Sequence, residues 1–316
     1  MFDIMTLRVG MIIGSSRLFG GAKDLALDIV HSILQSPHQL VVVFAEPNDY
    51  ILPHPLFQQN GIPVFSLPDA LCGTQYEIHR KTAESRFTEI LDGMNRITFD
   101  LGISFYANWL PPAVIHLPRF GFINLHPAPL PMLTGYEAER FHVLADHRKS
   151  WGTIHYLAEK FDTGRILARG KTVELPENMT PMTVYELLIG NSIPVLRQVL
   201  DDFASGRPMP GEAQDETQRT YATCKDAVRE SVIQWAADTN RKIDCRFRAY
   251  CTANDGMVLR AEINGQLCEI SDIMFLPDNK SGSPGQKIGN CRQPGQFYNA
   301  PVIKTLEGAV AIKTKK

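Results

Sequence analysis

The apolar positions in the first part of the chain form short runs that alternate with segments of helical periodicity. The segments from Lys23 to Leu34 and from Ser85 to Met94 place apolar side chains on one face, which predicts amphipathic helices. Strands that alternate with helices indicate an α/β fold with a Rossmann-like, mostly parallel sheet covered on both faces. The five predicted strands are Arg8–Ile13, Leu40–Phe44, Val64–Leu67, Leu101–Phe105 and Phe122–Leu125.

The pattern changes after the fifth strand. Gly152–Leu157 and Arg165–Arg169 are predicted strands joined by a loop that contains Asp162. Thr180–Pro181 suits the N-cap and first position of a helix. The apolar face that follows, through Phe203, predicts one long helix.

The last third of the chain is expected to form a smaller β-rich, OB-like unit, a small barrel or sandwich. One helix is predicted from about Ala227 to Thr239, and Gly, Asn and Pro then separate short strand-like runs. These runs are Val258–Ile263, Gln266–Ile270, Val302–Thr305 and Ala309–Ile312. The expected organisation is a large domain at 1–204, a polar linker at 205–220 and a C-terminal domain at 221–316.

Composition and charge argue against membrane proteins and against proteins that bind nucleic acid through bulk charge. The 316 residues carry a net charge of −2, which gives no bulk attraction to nucleic acid or to an anionic membrane. No apolar run is long enough to span a bilayer, and the first eight residues lack the order of a signal peptide. None of the six cysteines forms a CxxC pair, so we expect free thiols, no structural metal and a cytoplasmic location.

Candidate chemistry lies where the fifth strand ends. Asn124 and His126 are two residues apart, so their side chains project to the same side of a strand. Ligands in open α/β sheets bind just outside such strand ends. Asp162 can bring a carboxylate to the same place.

Two other patterns favour ordinary structural explanations. Gly10 and Gly14–Ser16 follow the first strand, but they lack the GxGxxG spacing of a dinucleotide site. Glu139, His142 and Asp146 fall on one helical face, where a solvated surface is favoured over a metal site.

The motifs together resemble the signature of the folate-dependent formyltransferases, which act on glycinamide ribonucleotide, methionyl-tRNA or amino sugars. The C-terminal third is similar to that of methionyl-tRNA formyltransferases, at Tyr221–Ala222, Trp235 and Arg246–Ala249. The resemblance covers almost the whole chain and implies a formyltransferase fold, with 10-formyltetrahydrofolate as co-substrate and no metal. The motifs that carry it are Asn124-Leu125-His126-Pro127, Leu130-Pro131, Gly135 and Asp162-Thr163-Gly164.

The resemblance also implies roles for individual residues. Asn124 and His126 would donate hydrogen bonds to the oxyanion that forms as an amine attacks the formyl group, and Asp162 would orient His126 and favour its protonated form. The residues implied for folate binding are Tyr106, Ala107, Asn108, Trp109, Leu110 and Gly164. Those implied for acceptor binding are Gly14, Ser15, Ser16, Pro127, Thr134 and Gly135.

The acceptor is expected to be a small molecule. No Lys or Arg occurs between Lys23 and Arg80, and residues 206–316 hold 16 Lys and Arg against 13 Asp and Glu, a weak footprint for tRNA. The family's Arg before Gly135 is missing, and residues 128–134 are unusual, which fits an unusual amine. A nucleotide-linked amino sugar or another biosynthetic amine is preferred. Methionyl-tRNA is the alternative, a non-catalytic folate- or nucleotide-binding homologue is the third hypothesis, and a homodimer stays open.

Overall fold

A computed structural model describes most of the chain. The described residues are 5–14, 21–45, 51, 54–66, 97–105, 110–207, 209–252, 257–277, 281–293 and 295–315. They divide between two compact units. The first unit comprises Met1–Gly135, Lys149–Leu175 and Tyr185–Tyr221. The second comprises Tyr136–Arg148, Pro176–Val184 and Ala222–Lys316.

The first unit is built on a seven-stranded sheet with the order β3-β2-β1-β4-β5-β8-β9. Strands β1 to β5 run parallel, and β8 and β9 extend the sheet in antiparallel fashion. The central strands are buried, as strands covered on both faces must be. The predicted mostly parallel α/β fold is confirmed. These strands are β1 (Arg8–Ile13), β2 (Gln39–Ala45), β3 (Val64–Ser66), β4 (Leu101–Phe105), β5 (Phe122–His126), β8 (Thr153–Tyr156) and β9 (Ile166–Arg169).

Four further strands in the first part of the chain are only two residues long. They are β6 (Thr134–Gly135), β7 (Lys149–Ser150), β10 (Val173–Glu174) and β11 (Tyr221–Ala222). β7 pairs with β10 in antiparallel fashion.

The helices of this part of the chain differ from the prediction at one place. The predicted long helix after Thr180 is in fact two helices, because Pro194 has no N–H with which to continue the helical ladder and the chain turns at Asn191 and Ser192. Thr180 does act as the N-terminal cap, since its hydroxyl accepts the backbone N–H of Thr183. The predicted helix from Ser85 to Met94 lies outside the described residues. The helices are α1 (Gly21–Leu34), α2 (Pro55–Gln59), α3 (Pro112–Ile115), α4 (Ala138–Leu144), α5 (Pro181–Gly190) and α6 (Ile193–Ala204).

The second unit contains a five-stranded antiparallel sheet with the order β12-β13-β16-β15-β14, which confirms the β-rich prediction. Strand β14 was not predicted, because its Gly289 weakens the strand pattern. The strands are β12 (Arg260–Ile263), β13 (Gln266–Leu276), β14 (Lys287–Asn290), β15 (Pro301–Lys304) and β16 (Ala309–Thr314).

The single helix predicted from Ala227 to Thr239 is wrong. Two helices are present, α7 (Cys224–Glu230) and α8 (Asn240–Cys251). A capping box at Thr223 starts α7, and Thr239 caps α8. Between them the backbone leaves the helix, because the N–H of Ile233 donates to the carbonyl of Arg260, the first residue of strand β12. No helix among the described residues has the length and apolar character needed to cross a membrane.

Candidate active site

Asn124 and His126 lie at the carboxyl end of β5, on one side of the strand as predicted. The antiparallel partner β8 places His155 directly opposite Asn124. The loop from β8 to β9 then returns Asp162 to the same end of the sheet. The structure thus brings the three predicted catalytic residues together, with a second histidine between them.

Asp162 is the centre of this group. Its Oδ1 is 3.6 Å from Nδ1 of His126 and 3.7 Å from Nε2 of His155, and its Oδ2 accepts the backbone N–H of Gly135 at 2.7 Å. The residue is 8% exposed and has a left-handed φ of 53°, which is uncommon for a residue with a side chain. Such a conformation persists only when surrounding contacts enforce it, and it is frequent at functional sites.

His155 fixes the orientation of the Asn124 amide. Its Nδ1 lies 2.8 Å from the carbonyl oxygen of Tyr156, an atom that only accepts, so Nδ1 carries the hydrogen. In a neutral ring Nε2 is then an acceptor, and it lies 3.2 Å from Nδ2 of Asn124. One N–H of the Asn124 amide is therefore donated to His155, and the other has no hydrogen-bond partner among the residues that the structure describes.

The neutral form of His155 has a physical cause. Burial lowers the pKa of this histidine from 6.5 to about 4, although Asp162 opposes the shift. Electrostatic interactions with His126 and Arg219 lower the pKa further, and the hydrogen bond to the Tyr156 carbonyl raises it. At neutral pH His155 is an uncharged acceptor for Asn124.

This pKa predicts acid sensitivity. Between pH 6.5 and about 4 the unfolded chain binds a proton at His155 that the folded protein does not, so acid favours unfolding. We expect the unfolding free energy to fall by about 3 kcal/mol from this group as pH drops through that window, and no contribution above it. Urea denaturation at pH 7 and pH 4.5 measures the change.

The comparison variant is His155→Gln, which cannot titrate and should lose less stability on acidification than the native protein. The exposed His116→Gln should keep the native pH dependence. Equal acid sensitivity of His155→Gln and the native protein would contradict a neutral, buried His155.

Each ring nitrogen of His126 faces a polar group of the site. Its Nε2 lies 3.0 Å from the carbonyl oxygen of Leu133, and its Nδ1 faces Asp162. A carbonyl only accepts, so Nε2 carries a hydrogen. To donate to a developing oxyanion, His126 must therefore break its bond to the Leu133 carbonyl. The charged oxygen is the stronger acceptor, so the new bond is favoured.

Gly164 has a steric reason to be glycine. A Cβ at this position would lie 1.7 Å from the carbonyl oxygen of Tyr156. The loop therefore passes directly over β8, and this close approach holds Asp162 above His155. The predicted folate role of Gly164 stays a prediction.

The other predicted binding residues lie in varied environments. Leu110 is 3% exposed and packs in a core cluster with Val114 and Phe122, and Pro127 is buried. Thr134 is buried too, and its hydroxyl donates to the Thr220 carbonyl. The N–H of Gly14 donates to the Phe105 carbonyl at the end of the sheet. The remaining predictions, Ser15, Ser16, Tyr106, Ala107, Asn108 and Trp109, lie outside the described residues.

The solvated face expected at Glu139, His142 and Asp146 is wrong. Glu139 and His142 are buried in α4, which packs against α8 within the second unit. Asp146 accepts two hydrogen bonds from Arg241. No metal-binding group of His, Cys, Asp and Glu occurs among the residues described.

Sequence reasoning missed His155, Gln214 and Arg219. Gln214 donates to the carbonyls of both Asp162 and Gly164, at 2.8 and 2.7 Å, and Arg219 bonds to Gln214. The one available signal was a histidine inside the apolar strand Gly152–Leu157. Gln214 and Arg219 belong to a polar stretch whose composition resembles a linker.

Comparisons with known proteins show which sequences and folds this chain is similar to. The family model described as formyl transferase matches residues 19–193. Methionyl-tRNA formyltransferase from Methylococcus capsulatus is 25% identical over 299 residues, which cover 92% of this chain and 90% of that protein.

Two solved structures share the fold. The N-formyltransferase from Helicobacter canadensis, in complex with folinic acid and dTDP-3-aminofucose, superposes with a TM-score of 0.62 at 15% identity, covering 98% of this chain and 100% of that one. HypX from Aquifex aeolicus, in complex with tetrahydrofolic acid, gives a TM-score of 0.58 at 16% identity, covering 97% of this chain and 43% of that one.

Proposed function

Because the chain belongs to the formyl transferase family, we propose that it transfers a formyl group from 10-formyltetrahydrofolate to a primary amine. The observation that carries this proposal is the grouping of Asn124, His126 and Asp162 at the end of β5, with His155 orienting the amide. A hydrogen-bond donor, an imidazole and a carboxylate within one site are the groups that acyl transfer to an amine requires.

The Asn124 amide donates a hydrogen bond to the formyl oxygen. Negative charge develops on that oxygen while the amine attacks the carbonyl carbon. The N–H of Asn124 that His155 leaves free is fixed before the reaction, so no reorganisation is needed to receive the charge. One such donor contributes about 3 kcal/mol to lowering the barrier.

Asp162 is the group that accepts the proton of the attacking amine. Its carboxylate lies between two imidazoles and is nearly buried, so it can accept a proton directly or through a water. The amine must lose a proton as the new C–N bond forms. His126, next to the same carboxylate, supplies a hydrogen bond from Nε2 to the reacting carbonyl.

The folate co-substrate supplies an activated formyl carbonyl. The free N–H of Asn124 fits the oxygen of such a carbonyl, and the Gly135 N–H holds the neighbouring carboxylate in place. The relatives named above include two proteins whose structures hold tetrahydrofolic acid or folinic acid, which supports the same donor here.

We propose a small-molecule acceptor, with a nucleotide-linked amino sugar as the first choice. Phosphate contacts from Lys and Arg dominate binding to tRNA, and residues 24–79 contain neither. The Helicobacter canadensis enzyme, whose structure holds a nucleotide-linked amino sugar, matches 98% of this chain, which supports the choice. Methionyl-tRNA is the second candidate, because the Methylococcus capsulatus relative covers 92% of the chain.

Tetrahydrofolate release tests both the reaction and the acceptor. We expect purified protein with 10-formyltetrahydrofolate to release tetrahydrofolate when a nucleotide-linked amino sugar is supplied, and to form the N-formyl sugar. The panel also contains amino acids, other biosynthetic amines and charged initiator methionyl-tRNA.

The Asp162→Asn protein is the matched control and should be inactive on every acceptor. Formylation of methionyl-tRNA alone would replace the proposed acceptor with the second candidate. Tight binding of the folate without turnover on any amine would favour a non-catalytic homologue.

A further inference from the structure

Residues 209–220, here called the strap, run along the last strand of the sheet and across the site. Glu212 and Ile166 exchange two backbone hydrogen bonds, of 2.8 and 2.7 Å, so the strap pairs with the start of β9. The hydroxyl of Tyr156 donates to the Met209 carbonyl, and Arg165 donates to the Gly211 carbonyl. The strap is therefore held to the sheet at its first half.

The middle of the strap holds the loop that carries Asp162. The side-chain amide of Gln214 donates to the carbonyls of Asp162 and Gly164 at 2.8 and 2.7 Å. Its Oε1 accepts from Arg219 at 3.2 Å, which fixes the direction of the amide. Two hydrogen bonds from one side chain thus stabilise the left-handed backbone at Asp162.

The end of the strap holds the loop on the other side of Asp162. The hydroxyl and carbonyl of Thr220 accept the backbone N–H groups of Leu133 and Thr134 at 2.7 and 2.9 Å. The Leu133 carbonyl faces His126, and the next residue after Thr134 donates to Asp162. The strap therefore bonds to both loops that set the distance between Asp162 and His126.

Arg219 adds a charge to this arrangement. Its Nε and Nη2 donate to the carboxylate of Glu216, both at 2.6 Å, on the outer side of the strap. Its Nη1 is buried and has no hydrogen-bond partner among the residues that the structure describes. The bonds to Glu216 and Gln214 hold the guanidinium in the place where it fixes the direction of the Gln214 amide.

We propose that the strap is a positioning element of the site, in which Gln214 holds Asp162 in place and Arg219 fixes the direction of the Gln214 amide. The proposal rests on the formyl-transfer function proposed above. It assigns to the strap a role in catalysis that acts through Asp162, without contact to the reacting atoms.

The test replaces Gln214 by glutamate, which keeps the shape of the side chain but cannot donate to the two carbonyls. We expect kcat to fall about 10- to 100-fold with little change in KM, because the catalytic carboxylate is displaced while ligand contacts remain. Gln218→Ala, which loses a bond to Asp215 on the exposed side, is the control. Equal kcat in the native, Gln214→Glu and Gln218→Ala proteins would remove the positioning role of Gln214.

Amide hydrogen exchange separates this proposal from the proposed function, because it reads the site whether or not the protein transfers formyl groups. The Gly135 N–H donates to Asp162, so its exchange should be faster in Gln214→Glu than in the native and Gln218→Ala proteins. Unchanged exchange would overturn the positioning role, whereas absence of turnover in the native protein would count against the proposed function.

Discussion

Replacement of Asn124 by alanine is expected to lower kcat about 100- to 1,000-fold, because it removes the one amide N–H that is fixed in advance for the formyl oxygen. The loss should appear in kcat and leave KM for both substrates nearly unchanged, since the bond gains strength only as charge develops. Steady-state kinetics with purified protein measures it. His155 keeps its bond to the Tyr156 carbonyl in this variant, so the fold should be retained.

Two further variants make the Asn124 result specific. Asn124→Asp has nearly the same shape but presents only acceptor oxygens to His155 and to the formyl oxygen, so it should be at least as impaired as alanine. Asn60→Ala, at the C-terminal end of α2, removes an amide that donates to the Leu56 carbonyl and should keep native kinetics. Native turnover in Asn124→Ala would show that the oxyanion donor lies elsewhere.

Replacement of Gly164 by alanine is expected to damage both stability and activity. The added Cβ would lie 1.7 Å from the Tyr156 carbonyl oxygen, far inside van der Waals contact with backbone that cannot rotate away. The loop must therefore lift from β8, at a cost of about 1–3 kcal/mol or more. Because Gln214 bonds to the Gly164 carbonyl, the same movement should displace Asp162 and lower kcat.

A helical glycine gives the opposite expectation from the same substitution. Gly190 ends α5, and a Cβ there would meet only Leu25, at an ordinary 3.9 Å. Gly190→Ala should leave turnover unchanged and be neutral or stabilising by up to about 1 kcal/mol, since alanine has the better helix propensity. Thermal unfolding measures the stability of both variants, and steady-state kinetics measures their turnover. An unimpaired Gly164→Ala protein would mean that the loop has room to move without cost.

Hydrophobic periodicity predicted the parallel sheet well because each of its strands is specified locally. Strands β1 and β4 begin and end where the apolar runs do. The same reasoning placed Asn124 and His126 on one side of β5, since residues two apart in a strand share a side. Helix ends were less predictable. The break after α7 depends on a backbone partner far away in sequence, the Arg260 carbonyl, whereas the turn before Pro194 has a local cause that the continuous apolar face concealed.

The sequence by itself determined the elements of the sheet and the residues Asn124, His126 and Asp162, because side-chain periodicity and strand ends are local properties. Only the tertiary structure decided what surrounds them. His155 meets Asn124 through the antiparallel register of β5 and β8. Gln214 and Arg219 reach the site along a stretch with the composition of a linker. Register and hydrogen bonds between distant segments arise only when the chain packs, and no local pattern contains them.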